Sequence, residues 1–84
     1  MQPEDVKAMI EAALPGAEVS VESDGSHFDA VVISAEFEGK STLKRHQMLN
    51  AIVFDKVTSG EIHAFNPKPY TPEEWKTASK LQVS

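Results

Sequence analysis

Apolar residues recur along this chain with two periods, and the two periods divide it into helices and strands. Val6, Met9, Ile10, Ala13 and Leu14 fall at i, i+3, i+4, i+7 and i+8, the single stripe of an amphipathic helix. Pro3 suits the first turn, Glu4 and Asp5 sit where the helix dipole favours anions, and Pro15-Gly16 ends the helix. The period then changes to two. Ala17, Val19 and Val21 alternate with Glu18, Ser20 and Glu22, which predicts a half-buried strand. Asp24-Gly25 is a turn signal, and Phe28 to Ser34 predicts a second strand joined to the first as a hairpin.

Glu36-Phe37-Glu38-Gly39 turns the chain again, with Glu36 and Glu38 read as solvated positions of an extended segment. Ser41 or Thr42 is placed to cap a helical region that runs to about Val57. On a helical wheel Leu43, His46, Leu49, Val53, Phe54 and Val57 share one arc, whereas Met48 and Ile52 fall outside it. That mismatch predicts two shorter helices with a break near Asn50. Ser59-Gly60 ends the region, and Glu61 to Asn66 predicts a third strand with Ile62 and Ala64 on one face and His63 and Phe65 on the other. Pro67 and Pro69 are read as its end and as an edge signal. Thr71-Pro72-Glu73-Glu74 has the form of a capping box, opening a short last helix with Trp75 and Ala78, and the tail from about Lys80 is expected to fray. The predicted order is α-β-β-α-α-β-α, an α+β sandwich with helices on one face of a three-stranded sheet.

Eighty-four residues make one domain with a modest core, spanning 1–84. Composition is that of a globular chain, with 40% hydrophobic and 25% charged residues. There is no cysteine, which excludes a disulfide framework, a thiolate zinc site and a cysteine nucleophile. No stretch is apolar enough to span a membrane, and the acidic N-terminus has neither a signal-type nor an Arg-rich character; a cytoplasmic location is expected. The net charge of −5 is unevenly spread. Residues 1–38 carry nine acidic groups against Lys7, a balance of −8, and residues 39–84 carry seven basic against four acidic, a balance of +3. Such an asymmetry orients a partner protein and is a poor footprint for nucleic acid.

Candidate chemistry is sparse. His27, His46 and His63 are the only soft ligands. His46 lies within the helical arc and is read as a packing residue; His27 follows the hairpin turn and His63 lies in the third strand. No HExxH, Walker, GxSxG or dinucleotide motif is present, the carboxylates have structural explanations, and no enzymatic activity is expected. Lys40, Lys44 and Arg45 form a small basic cluster, with Lys68 a further cation.

Four segments in order carry a family resemblance. Asp24-Gly25-Ser26-His27-Phe28, Phe37-Glu38-Gly39-Lys40-Ser41 with Leu43-Lys44-Arg45-His46-Gln47, Ile62-His63-Ala64, and Tyr70-Thr71-Pro72-Glu73-Glu74-Trp75 together resemble the BolA family over about residues 4–76. The resemblance implies a class II KH-like fold. It implies a partnership with a monothiol glutaredoxin in iron–sulfur cluster assembly or trafficking, or in iron homeostasis. A [2Fe–2S] cluster is then shared between a glutaredoxin cysteine, glutathione and two ligands of this chain. His63 matches the family's characteristic histidine and His27 the ligand of the first hairpin loop. Lys44, Arg45, Lys68 and Trp75 are the expected partner-binding residues, and an apo homodimer is compatible with this reading. The alternative is a DNA-binding transcriptional regulator that reads through the helix–turn–helix region. RNA-binding KH domains carry a GXXG loop between their core helices; the expected break here reads Asn50-Ala51-Ile52-Val53, so that phosphate clamp is absent.

Overall fold

The computed structural model describes the backbone of residues 1–82 and side chains through residue 80. Helix α1 spans Pro3–Ala13, strand β1 Glu18–Ser23 and strand β2 His27–Ile33. A single 3-10 turn, Ala35–Phe37, precedes helix α2, Thr42–Thr58; strand β3 spans Ala64–Tyr70 and helix α3 Pro72–Gln82. The fold is α+β, with a mixed sheet of order β1-β2-β3. β1 and β2 form the antiparallel hairpin, with Val19 opposite Val32 and Val21 opposite Ala30. β2 and β3 run parallel, with Phe28 beside Phe65 and Ala30 beside Pro67. A parallel pair cannot be joined by a tight turn, and α2 makes the crossover.

The core follows from the two periods. Val6, Ile10 and Leu14 of α1 and Leu49 and Val53 of α2 meet Val19, Phe28, Ala30 and Val32 on one face of the sheet. Phe37 and Ile62, from the two ends of the crossover, are also fully enclosed. Each α2 end is closed by local chemistry. The Ser41 hydroxyl accepts from the Lys44 N–H at 3.2 Å, as an N-cap should. At the other end Gly60 takes φ +86°, a left-handed conformation in which a side chain is strained.

Four expectations are corrected. The middle helix has no break at Asn50; it is continuous over Thr42–Thr58, so the absence of a GXXG clamp rests on no interhelical loop there. Its buried face also differs from the expected arc. Met48 and Ile52 pack against the core beside Leu49 and Val53, whereas Leu43, Phe54 and Val57 are exposed, at 69%, 61% and 42%. The buried stripe therefore runs Arg45, Met48/Leu49 and Ile52/Val53, in which one of the positions facing inward is cationic. Glu36 lies in the 3-10 turn rather than in an extended segment.

A further correction concerns β3. It starts at Ala64 and continues through both prolines to Tyr70, whereas the expected strand covered Glu61 to Asn66. The backbone shows why the prolines are tolerated. At one end the Ala64 N–H donates to the Ser26 carbonyl, and at the other the Tyr70 carbonyl accepts from Ser34. Residues 64, 66, 68 and 70 therefore bond to β2, and Pro67 and Pro69 turn their missing donors toward the open edge. At the chain's end, Lys80 lies within α3, which reaches Gln82; residues 83–84 of the expected frayed tail lie outside the described residues.

The corrected α2 face makes a direct prediction. Leu49→Ala is expected to cost about 2–5 kcal/mol by cavity formation, and Phe54→Ala about 0.5 kcal/mol or less. Urea unfolding monitored by far-UV circular dichroism measures both, and equal costs would contradict this packing.

Candidate functional site

Two of the three histidines are brought to one end of the sheet by the parallel seam. In the hairpin turn Gly25 takes φ +113°. The Ser23 hydroxyl both accepts from the Gly25 N–H at 3.2 Å and donates to the Gly25 carbonyl at 2.9 Å. His27 opens β2 next to buried Phe28, and so faces solvent. Its Nδ1 lies 3.8 Å from Asp24 Oδ1, with both side chains largely exposed, a contact that contributes little to stability. His63 forms a bend just before β3 and is exposed. It is pinned from both sides: Ile62 is buried at 1% exposure, and the N–H groups of His63 and Ala64 both donate to the Ser26 carbonyl, at 2.9 and 3.2 Å. His27 pairs directly with Ala64. Thirty-six residues apart in sequence, the two histidines stand on adjoining strand starts at one open rim.

Acidic and polar groups surround that rim. A shallow cavity of about 400 Å³ is lined on the His27 side by Glu22, Asp24, His27, Asp29, Phe65 and Asn66 among others; His63 is not part of its lining. Asn66 Nδ2 donates to Asp29 Oδ1 at 3.1 Å across the seam. Behind His63, Glu61 accepts from the Ser59 hydroxyl at 3.1 Å and pairs with Lys56 at 3.3 Å. The Ser59 hydrogen bond and then Lys56 hold the Glu61 carboxyl below the usual glutamate range. Among the described residues no three His, Cys, Asp or Glu side chains are grouped to hold a metal ion. What this rim offers a soft metal centre is thus a pair of exposed imidazoles in need of further ligands from elsewhere. His46 is half-buried on α2, in keeping with a packing role.

The other expected contacts are divided between locations. Lys68 lies on β3 beside Val31 and is exposed. Trp75 stacks edge-on against Tyr70, with ring centroids 5.1 Å apart. Tyr70 ends the strand that His63 precedes, so Trp75 lies about 20 Å from the histidine rim at strand rise. Lys44 is exposed in the first turn of α2, also at the far end. Arg45 corrects the expectation most clearly. Its side chain is only 12% exposed and is committed internally. Nε donates to the Phe37 carbonyl at 3.1 Å and the Lys40 carbonyl at 3.0 Å. Its two terminal nitrogens grip Glu74 at 2.6 and 3.1 Å, and the guanidinium lies 5.9 Å from the Phe37 ring centre. Lys40 is likewise engaged, its Nζ donating to the Glu36 carbonyl at 2.8 Å. Of the basic cluster, Arg45 is ion-paired with Glu74 and Lys40 donates to a backbone carbonyl, while Lys44 is exposed.

Glu74 has a second duty. The Thr71 N–H donates to Glu74 Oε1 at 3.0 Å, and the Glu74 N–H donates to Thr71 Oγ1 at 3.1 Å, the reciprocal capping box expected from the sequence. The Arg45 hydrogen bond, then the Thr71 backbone, lower the Glu74 pKa. Sequence patterning located the box but not Arg45's part in it, because the partners are 29 residues apart; the one local signal was a cation on the buried side of the α2 wheel.

Comparisons with known proteins agree with this architecture. A family profile described as BolA-like protein matches residues 4–74. An uncharacterized protein from the rpoN-murA intergenic region of Acinetobacter guillouiae is 37% identical, over 94% of this chain and 95% of that protein. The acid stress protein IbaG of Escherichia coli is 33% identical, over 96% of each. Among solved structures, a bolA protein homologue from Coxiella burnetii superposes with a TM-score of 0.78 at 38% identity, covering 90% of this chain and 97% of that one. Yeast Fra2 superposes at 0.69 with 36% identity, covering 100% and 94%. No helix among the described residues is long and apolar enough to cross a membrane.

A depressed carboxyl stabilises the fold above its unfolded pKa, and that stabilisation is lost as pH falls through the folded value. Glu74→Gln is therefore expected to lower Tm at neutral pH and to flatten the fall of Tm across and below the ordinary glutamate range. Arg45→Lys, which cannot keep the forked geometry, is expected to cost about 1–3 kcal/mol. Thermal melts across that pH range check both; an unchanged acid limb in Glu74→Gln would contradict the clamp.

Proposed function

The chain belongs to the BolA family, whose profile covers most of its length, and on that footing we propose that it is a non-enzymatic adaptor for a monothiol glutaredoxin. In this reading the two proteins share a [2Fe–2S] cluster. His63 and His27 supply the ligands of this chain, and a glutaredoxin cysteine and glutathione supply thiolates. The adaptor serves cluster assembly or trafficking, or iron homeostasis.

The observation that supports this most is the shared Ser26 carbonyl, which ties the backbone of His63 to the hairpin that presents His27. Both imidazoles are exposed, as ligands to a group brought by another protein must be. The donor set also fits. With no cysteine the chain cannot hold such a cluster by four thiolates, and two neutral imidazoles complete a set begun by two foreign thiolates. Imidazole in place of thiolate raises the reduction potential when the cluster is bound, and each ring must be unprotonated to ligate. Lys68, on the same sheet, remains in the proposed docking surface; Lys44 and Trp75, at the far end, would require a partner that reaches along the whole strand.

Addition of the protein to a cluster-loaded glutaredoxin is expected to change the visible circular dichroism of the cluster. His63→Ala should abolish that change and His27→Ala should weaken it. A spectrum indifferent to the protein, or altered equally by the His63→Ala variant, would refute shared ligation.

A further inference from the structure

The sheet has two edges of opposite character. On β3 the outward positions include Pro67 and Pro69, so this edge lacks donors where an added strand needs them. β1 contains no proline. The Asp24 N–H donates to the His27 carbonyl at 3.3 Å, which marks that pair as hydrogen-bonded. By the two-residue alternation of an antiparallel ladder the bonded pairs continue as Glu22 with Asp29, Ser20 with Val31 and Glu18 with Ile33. The backbone N–H and C=O groups of Val19 and Val21 therefore turn toward the free edge. A groove of about 360 Å³ runs beside them, bounded by Pro3, Glu4 and Lys7 of α1 and by Val19, Val21 and Glu22 of β1.

We propose that this β1 edge is a docking site for an extended segment of a partner protein in which basic and small apolar residues alternate. The register dictates the alternation. Residues of an added strand that lie beside Glu18 and Glu22 share their outward face, where both carboxylates are exposed and call for Lys or Arg. Residues beside Val19 and Val21 point toward α1, where Val19 is buried, Val21 half-buried and Pro3 adjacent, a setting for Val or Thr. Along this groove and strand Glu4, Glu18 and Glu22 outnumber Lys7, which favours a basic segment. In the register centred on Ser20, antiparallel pairing of two β1 edges sets Glu18 of each copy against Glu22 of the other, and like charges directly opposite are destabilising, which disfavours a second copy in that register. This site meets the histidine rim at Glu22, which lines both cavities, but does not depend on cluster ligation.

The pentapeptide Lys-Val-Thr-Val-Lys, acetylated and amidated, is a suitable probe because its symmetry fits either strand direction. Titrated into the full chain, it is expected to shift amide resonances of β1 and the start of α1. It should slow hydrogen exchange at Val19 and Val21 by about tenfold or more as those donors gain partners. Glu18→Lys/Glu22→Lys, two exposed substitutions, should weaken binding by about tenfold or more, and binding should fall with salt. Absence of binding at millimolar peptide, shifts confined to other faces, equal binding by the double variant, or concentration-dependent protection of Val19 and Val21 without peptide would each overturn the proposal, the last in favour of self-pairing.

Discussion

The parallel pairing of β2 with β3 is the constraint from which the rest of the molecule follows. Two strands that run the same way must be joined by a crossover, and here that crossover is α2 with a turn at each end. Its apolar face must lie on the sheet, which buries Leu49 and Val53 against Phe28, Ala30 and Val32. The enclosure of Phe37 before α2 and Ile62 after it anchors the crossover where it leaves and rejoins the sheet. The same seam delivers His63 to the hairpin: the Ala64 N–H opens the ladder on the Ser26 carbonyl, and the His63 N–H shares that acceptor.

Arg45 is the polar counterpart of that apolar anchor. One guanidinium satisfies two carbonyls of the turn before α2 and both oxygens of Glu74 at the start of α3. It thereby joins the turn, α2 and the start of α3. A lysine has one charge centre and no fixed fork, so it cannot make the same set of bonds. This is why a cation on a helix face, which reads in sequence as a docking residue, is here part of the frame.

Legibility in the sequence followed the range of the interactions involved. The α1 stripe, the β1 alternation, the Asp24-Gly25 turn, the Ser41 cap and the Thr71–Glu74 box each rest on neighbours within a few residues, and each was readable. The family resemblance lay in short segments of the same kind. The buried face of α2 was misread because Leu43, Phe54 and Val57 lie on one arc of their own, so hydrophobicity alone pointed to the wrong side; only the sheet decides in favour of Met48 and Ile52. Sequence patterning starts β3 three residues early and ends it short, because proline reads as a stop although here its missing donor faces an edge. The candidate histidines were visible as residues, but their adjacency depends on a pairing between strands separated by the whole crossover.

The unequal edges of the sheet also bear on how copies of the molecule can associate. Sheets grow without limit when a competent edge on one side of a molecule meets a different competent edge on the next, a head-to-tail contact that never closes. With Pro67 and Pro69 on β3, that contact has only one usable half. Any strand added to this protein must therefore go to β1, and the ribbon ends there, so filament growth through the sheet is blocked by two imino acids far from either histidine.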